Sequence, residues 1–159
     1  MRRCFAARAA VLAAALATPF LAPAARADAR GGEVEAIIRE YIALWNAHDA
    51  HAIWTRVYRL DAAQGMKSEA DLAAGFARLK AEGYDHSDLQ SVRACLLTPR
   101  VAMALLRFSR LKTDGSPMPP KDRLSIYMLR RFDDGWRVTG MTAVDASARI
   151  DCASAEPGR

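Results

Sequence analysis

The chain has 159 residues, 23 basic and 18 acidic, for a formal charge of +5. That length favours one domain. Four of the basic residues (Arg2, Arg3, Arg8 and Arg26) and none of the acids lie in the first 27 positions, so the rest carries 19 basic against 18 acidic residues, too balanced a charge to point to nucleic acid.

Residues 1–27 read as a secretory signal peptide, removed on export. Arg2 and Arg3 start it, Ala9 to Leu21 is almost wholly apolar, and Ala25-Arg26-Ala27 is a small-x-small cleavage site. The alternative is an uncleaved anchor helix, but the run is short for a membrane span and Pro19 and Pro23 interrupt it. The expected location is therefore periplasmic or secreted, with no membrane contact after cleavage. Cys4 leaves with the leader, and Cys95 and Cys152 remain in a compartment that permits disulfides. Spacing leaves two readings open, a Cys95–Cys152 bridge or two unrelated thiols.

Downstream, residues 28–32 read as a flexible entry. Val34, Ile37, Ile38, Tyr41, Ile42 and Trp45 recur at helical spacing and predict a helix from about Glu33 to Ala47. Asp49 caps a second, short helix, Ala50 to about Val57. Residues 58–67 form a connection with room for a short strand. Ser68 caps a third helix, Glu69 to Glu82, whose buried side is Leu72, Phe76 and Leu79, and Gly83 stops it.

The period then becomes alternating. Strands are predicted at Leu89–Leu97, Val101–Lys112, Arg123–Phe132 and Trp136–Val144. Thr98-Pro99-Arg100, the Asp114-Gly115 and Pro119-Pro120 region, and Asp133-Asp134-Gly135 supply the turns. A domain over residues 28–145 precedes a polar tail, 146–159, loose unless Cys152 pins it. Three helices followed by four meandering strands give an α+β domain, the helices packed on a strongly curved antiparallel sheet that forms a cone. The mouth of such a cone is the natural place for a ligand.

Tyr41-Ile-Ala-Leu-Trp-Asn-Ala-His-Asp49 resembles the first-helix signature of the nuclear transport factor 2-like superfamily, also called SnoaL-like or ketosteroid-isomerase-like. Arg130-Arg-Phe-Asp-Asp-Gly-Trp-Arg-Val138 resembles its closing hairpin. The resemblance runs from about Glu33 to Val144 and implies the cone fold. It leaves function open among isomerases, dehydratases, cyclases, ligand binders and association domains. It also implies a homodimer through the sheet face as one expected partner.

The isomerase pattern matches this chain in part. Tyr41 falls where those enzymes place an oxyanion-hole tyrosine. The expected base falls near Gly65, with Asp61 and Glu69 the nearest acids, and the second acid falls near Met128, where no acid exists. A phenol can donate to a developing oxyanion but cannot shuttle a proton between carbons without a base. Tyr41 and Asp61 are therefore the catalytic pair only if the protein is an enzyme.

The favoured expectation is the binding of a small, largely apolar molecule. Tyr41, Trp45, Tyr58 and Tyr127 would line its pocket. Arg107 and Arg110 lie on opposite strand faces, and Arg110 shares its face with Phe108, so Arg110 is the one assigned to the pocket, where it can hold a carboxylate or phosphate. His48, Asp49 and His51 could suggest a metal, but Asp49 is better used as a cap and His86 stands apart beside Asp85 and Asp88. With no glycine-rich phosphate loop, no CxxC motif and no Ser/His/Asp order, no cofactor or metal is assigned.

Overall fold

The computed structural model describes residues 23–59 and 68–152, with side chains from Arg30 onward. Most of the expected leader lies outside these residues, as does Asp61. The element order is helix α1 (Pro23–Asn46), a single helical turn α2 (Ala50–Ala52) that runs on as a π-helical turn (Ile53–Val57), helix α3 (Glu69–Ala81), and strands β1 (Tyr84–Thr98), β2 (Val101–Lys112), β3 (Arg123–Phe132) and β4 (Gly135–Val144). The strands form one antiparallel sheet in the order β1-β2-β3-β4. The α+β architecture predicted from the pattern is thus present.

Three departures have physical reasons. Helix α1 starts at Pro23 rather than Glu33, so residues 28–32 are helical rather than a flexible entry. Alanine-rich sequence favours helix, and Gly31 and Gly32 face open space. Strand β1 begins at Tyr84, five residues earlier than expected. Register shifts after Tyr84, Leu89 and Leu96 break its alternation, hide it from a period-two reading and bend it. Finally, the sheet is curved but not closed. β1 and β4 are its two edges, and part of the β4 edge is covered by a parallel bridge from Tyr58 to Val138 with Arg59 N–H donating to the Val138 carbonyl at 2.8 Å.

Local chemistry sets the helix ends. Asp49 Oδ1 accepts from Ala52 N–H at 2.8 Å and Ser68 Oγ from Asp71 N–H at 3.1 Å. Helix α1 closes with Asp49 N–H bonded to the Leu44 carbonyl and His48 N–H to that of Trp45, which puts His48 at φ 54°. That is the paired bonding of a left-handed helix terminus, with histidine where glycine is commonest. Gly83, at φ 88°, turns the chain from α3 into β1.

Helix α1 lies against the concave face of the sheet. Val34, Ile38, Tyr41, Ile42 and Trp45 are buried, with Val34 and Ile38 fully so. They meet Ala102, Ala104, Leu106 and Phe108 of β2, Tyr127 and Leu129 of β3, and Trp136 and Val138 of β4 in one core. Each large apolar side chain buried in this way contributes about 1.5–3 kcal/mol. Polar contacts fix the helix near its middle and at its C-terminal end. Glu33 accepts from Trp136 Nε1 at 3.0 Å and pairs with Arg131 at 3.5 Å. Asn46 accepts from Ser87 N–H at 2.8 Å and donates to the Ser87 carbonyl at 3.0 Å.

The segment after β4 lies on the outer face as far as it is described. A disulfide joins Cys152 to Cys95, with Cα atoms 5.2 Å apart. Arg107 donates to the carbonyls of Ala146 at 2.6 Å and Ala148 at 2.9 Å, and Arg93 to that of Ile150. Ala148, Ile150 and Cys152 pack on a second apolar cluster of Cys95, Leu105 and Leu124. The outer sheet face is therefore covered in part by the chain's own tail. Among the described residues no helix is long and apolar enough to cross a membrane.

Candidate functional site

A pocket of about 400 Å³ opens between α1 and the concave face of the sheet. Helix α1 supplies Tyr41, Ile42 and Trp45, and the strands supply Ser87, Phe108, Arg110, Arg123, Ser125, Tyr127, Met141 and Ala143. The size lies at the lower end of the roughly 300–1,000 Å³ usual for small-molecule sites. Strand register explains the selection. Ser87 is opposite Arg110, Arg123 opposite Phe108, and Met141 opposite Tyr127, so one face of each strand converges beneath the helix.

Aromatic rings make the rear wall. The Tyr41 ring centroid lies 5.6 Å from that of Trp45, 5.3 Å from Tyr127 and 5.7 Å from Tyr58, all tilted. Tyr58 reaches Tyr41 because the π-helical turn is closed by Tyr58 N–H to the Ile53 carbonyl at 2.9 Å, after which the chain becomes extended. Tyr58 does not border the pocket. It sits behind Tyr41, a change from its expected place in the lining, and among the described residues its buried hydroxyl has no partner at good hydrogen-bond geometry, with the Tyr41 hydroxyl its nearest interacting group.

The phenols are held neutral. Burial, then the charges that Tyr127 and Tyr58 would carry, push Tyr41 well above its ordinary value. Burial likewise pushes Tyr58 far up and Tyr127 to about 12, against a downward pull on Tyr127 from the Tyr41 hydroxyl, Arg110 and Ser125. Neutral phenols can donate hydrogen bonds but supply no base near pH 7. Among the described residues, the groups that act on Tyr41 are tyrosines rather than a carboxylate. Met128, where the second acid of the isomerase pattern would fall, alternates with Tyr127 and so projects from the opposite face of the sheet, 37% exposed.

Arg110 borders the pocket as its face predicted, and Arg107 turns to the outer side to hold the tail. The Arg110 guanidinium lies 5.9 Å from the ring centroids of both Trp45 and Tyr84, within cation–π range. Among the described residues its buried Nε has no hydrogen-bond partner, and neither has that of Arg123. Arg123 was missed from the sequence, although one further step of the alternation Tyr127, Ser125, Arg123 reaches it.

The residues considered for a metal are otherwise engaged. Asp49 caps α2, His51 meets Glu69 at 3.1 Å, and His86 meets Asp85 at 2.7 Å. Among the described residues no three His, Cys, Asp or Glu side chains converge.

Comparison with known proteins matches residues 32–146 to a family described as NTF2-like protein (DUF6841). Among solved structures, an NTF2-like protein with a cystatin-like fold from Novosphingobium aromaticivorans is 18% identical, with a TM-score of 0.57 over 82% of this chain and 90% of that one. An NTF2-like superfamily protein from Salmonella enterica serovar Typhimurium is 11% identical, with a TM-score of 0.57 over 79% and 96%. A domain of unknown function with a cystatin-like fold from Nostoc punctiforme is 16% identical, with a TM-score of 0.50 over 82% of each chain. At these identities the likeness is one of fold. No curated protein matches the chain.

Proposed function

The chain belongs to the NTF2-like family DUF6841, and from that premise we propose that it binds a small, largely apolar molecule in the pocket beneath α1. The observation that carries this reading is the pocket itself: about 400 Å³, walled by Tyr41, Ile42, Trp45, Phe108, Tyr127 and Met141. Apolar walls with a few convergent polar groups are the usual make-up of a ligand site. The enzyme alternative requires a base opposite Tyr41. Asp61 is its candidate and lies outside the described residues, while the groups that act on Tyr41 among the described ones are tyrosines.

The Cys95–Cys152 disulfide fits a protein that works outside the cytoplasm, as the signal-like N-terminal sequence suggests. The test is native mass spectrometry of disulfide-intact protein recovered after export. The expected spectrum holds a small non-covalent adduct that is lost on denaturation. The bare chain mass alone, with no uptake from an added library of small apolar compounds, would overturn the proposal.

A further inference from the structure

Two cationic side chains that border the pocket have donors left unmet among the described residues. Arg110 on β2 and Arg123 on β3 share its face. Because Arg123 stands opposite Phe108, the two arginines are diagonal neighbours across adjacent strands, their positions roughly 7–8 Å apart. Among the described residues no ion pair joins either one to an acid. Each has a buried Nε with no partner. Arg123 gives one bond to the Pro119 carbonyl at 2.7 Å, and Arg110 faces the rings of Trp45 and Tyr84.

Two acids, Asp122 and Asp145, also border the pocket and balance its formal charge, but neither forms an ion pair with an arginine there. Asp145 accepts from the N–H and hydroxyl of Ser147 at 2.7 and 2.6 Å, and Asp122 receives a long bond from Gln90 at 3.4 Å. Burial and the charge of Arg110 both disfavour the charged form of Arg123. Two like charges held side by side with unmet donors are costly unless something negative sits between them. The guanidinium fork matches a carboxylate, and the rings of Trp45 and Tyr84 lie within cation–π range of Arg110.

We propose that the pocket takes an organic carboxylate, with the head group held between Arg110 and Arg123 and the apolar body beneath Tyr41, Trp45 and Phe108. This assignment rests on the reading that the pocket binds a small apolar molecule, and it names the head group of that molecule. A neutral analogue of the same body leaves both arginines unmet and binds more weakly.

The test is isothermal titration of the disulfide-intact protein with 3-phenylpropionate and octanoate, each beside its matched alcohol, 3-phenylpropan-1-ol and 1-octanol. At least one carboxylate binds about 10- to 100-fold more tightly than its alcohol at low salt, as expected for charge-assisted hydrogen bonds. That preference shrinks as potassium chloride is raised, while the alcohol's affinity holds. Arg110→Gln and Arg123→Gln each remove most of the preference and leave the alcohol within about two-fold, whereas Arg130→Gln, on the exposed outer face, leaves the preference intact. The salt series on the wild-type protein decides the point even if a variant does not fold. Equal binding of acid and alcohol, or a preference insensitive to salt, refutes the carboxylate assignment and leaves the apolar pocket standing. No binding by any of the four compounds refutes both.

Discussion

Replacing Asn46 with alanine should destabilise the protein by about 2–4 kcal/mol, far more than a polar residue at a helix end usually costs. The reason lies in the edge strand. Ser87 sits on β1, just past the first register shift, and is only 3% exposed. Its backbone N–H and carbonyl are met by the Asn46 amide at 2.8 and 3.0 Å, so the side chain stands in for a neighbouring strand. A third, longer contact runs from Tyr84 Oη to Asn46 Oδ1 at 3.4 Å. Two such bonds contribute about 0.5–1.5 kcal/mol each, and a buried donor and acceptor left unpaired add about 1–3 kcal/mol each where water cannot enter. Partial access of water to the edge lowers the sum to the quoted range. Urea unfolding followed by tryptophan fluorescence reads the effect as a midpoint lowered by about 1–2 M, given slopes of roughly 1–3 kcal/mol/M. A midpoint within about 0.2 M of the wild type would show that Ser87 is satisfied without the amide and that α1 is anchored in some other way.

Reducing the Cys95–Cys152 bond, which closes a 57-residue separation, should cost about 4 kcal/mol from the entropy returned to the unfolded chain, and urea midpoints of oxidised and reduced protein measure it. Tyr58→Phe removes a buried hydroxyl without a well-formed hydrogen bond among the described residues, so thermal unfolding should show a gain of up to about 1 kcal/mol, and a loss above 1 kcal/mol would mean that the hydroxyl has a firm partner. All four tyrosines (Tyr41, Tyr58, Tyr84 and Tyr127) have raised values, so absorbance at 295 nm should show less phenolate at pH 10 in the native protein than in urea, where about half is ionised. Because the native values exceed the unfolded ones, this contribution to stability is whole below about pH 10 and is lost as pH climbs towards 12 and beyond. Equal urea midpoints at pH 9 and pH 11 would contradict it.

The parts legible in the sequence were those set by local chemistry. Asp49, Ser68 and Gly83 mark helix ends because a short side-chain oxygen or a left-handed backbone is needed there, whatever surrounds it. Alternation placed Phe108 with Arg110, and Tyr127 away from Met128, because strand faces follow from parity alone. What escaped depends on partners distant in sequence. The bulges of β1 exist only against the register of β2, so its first five residues read as loop. The π-helical turn that draws Tyr58 behind Tyr41 leaves no pattern in Ile53–Val57. Arg123 opens its strand, and only its pairing with Phe108 places it beside Arg110. The local residues could not specify whether the sheet closes, since closure depends on strand tilt and stagger over the whole sheet.

The central claim is that the space beneath α1 is a binding site rather than ordinary core. Its most direct test is a two-dimensional NMR titration of the disulfide-intact, isotope-labelled protein with 3-phenylpropionate. Saturable shifts should appear at the Trp45 indole and at the amides of Tyr41, Phe108, Arg110, Arg123 and Tyr127, which border the pocket. Outer-face signals such as those of Met128 and Arg130 should stay still. Shifts gathered on the outer face, or none at saturating ligand, would contradict the claim.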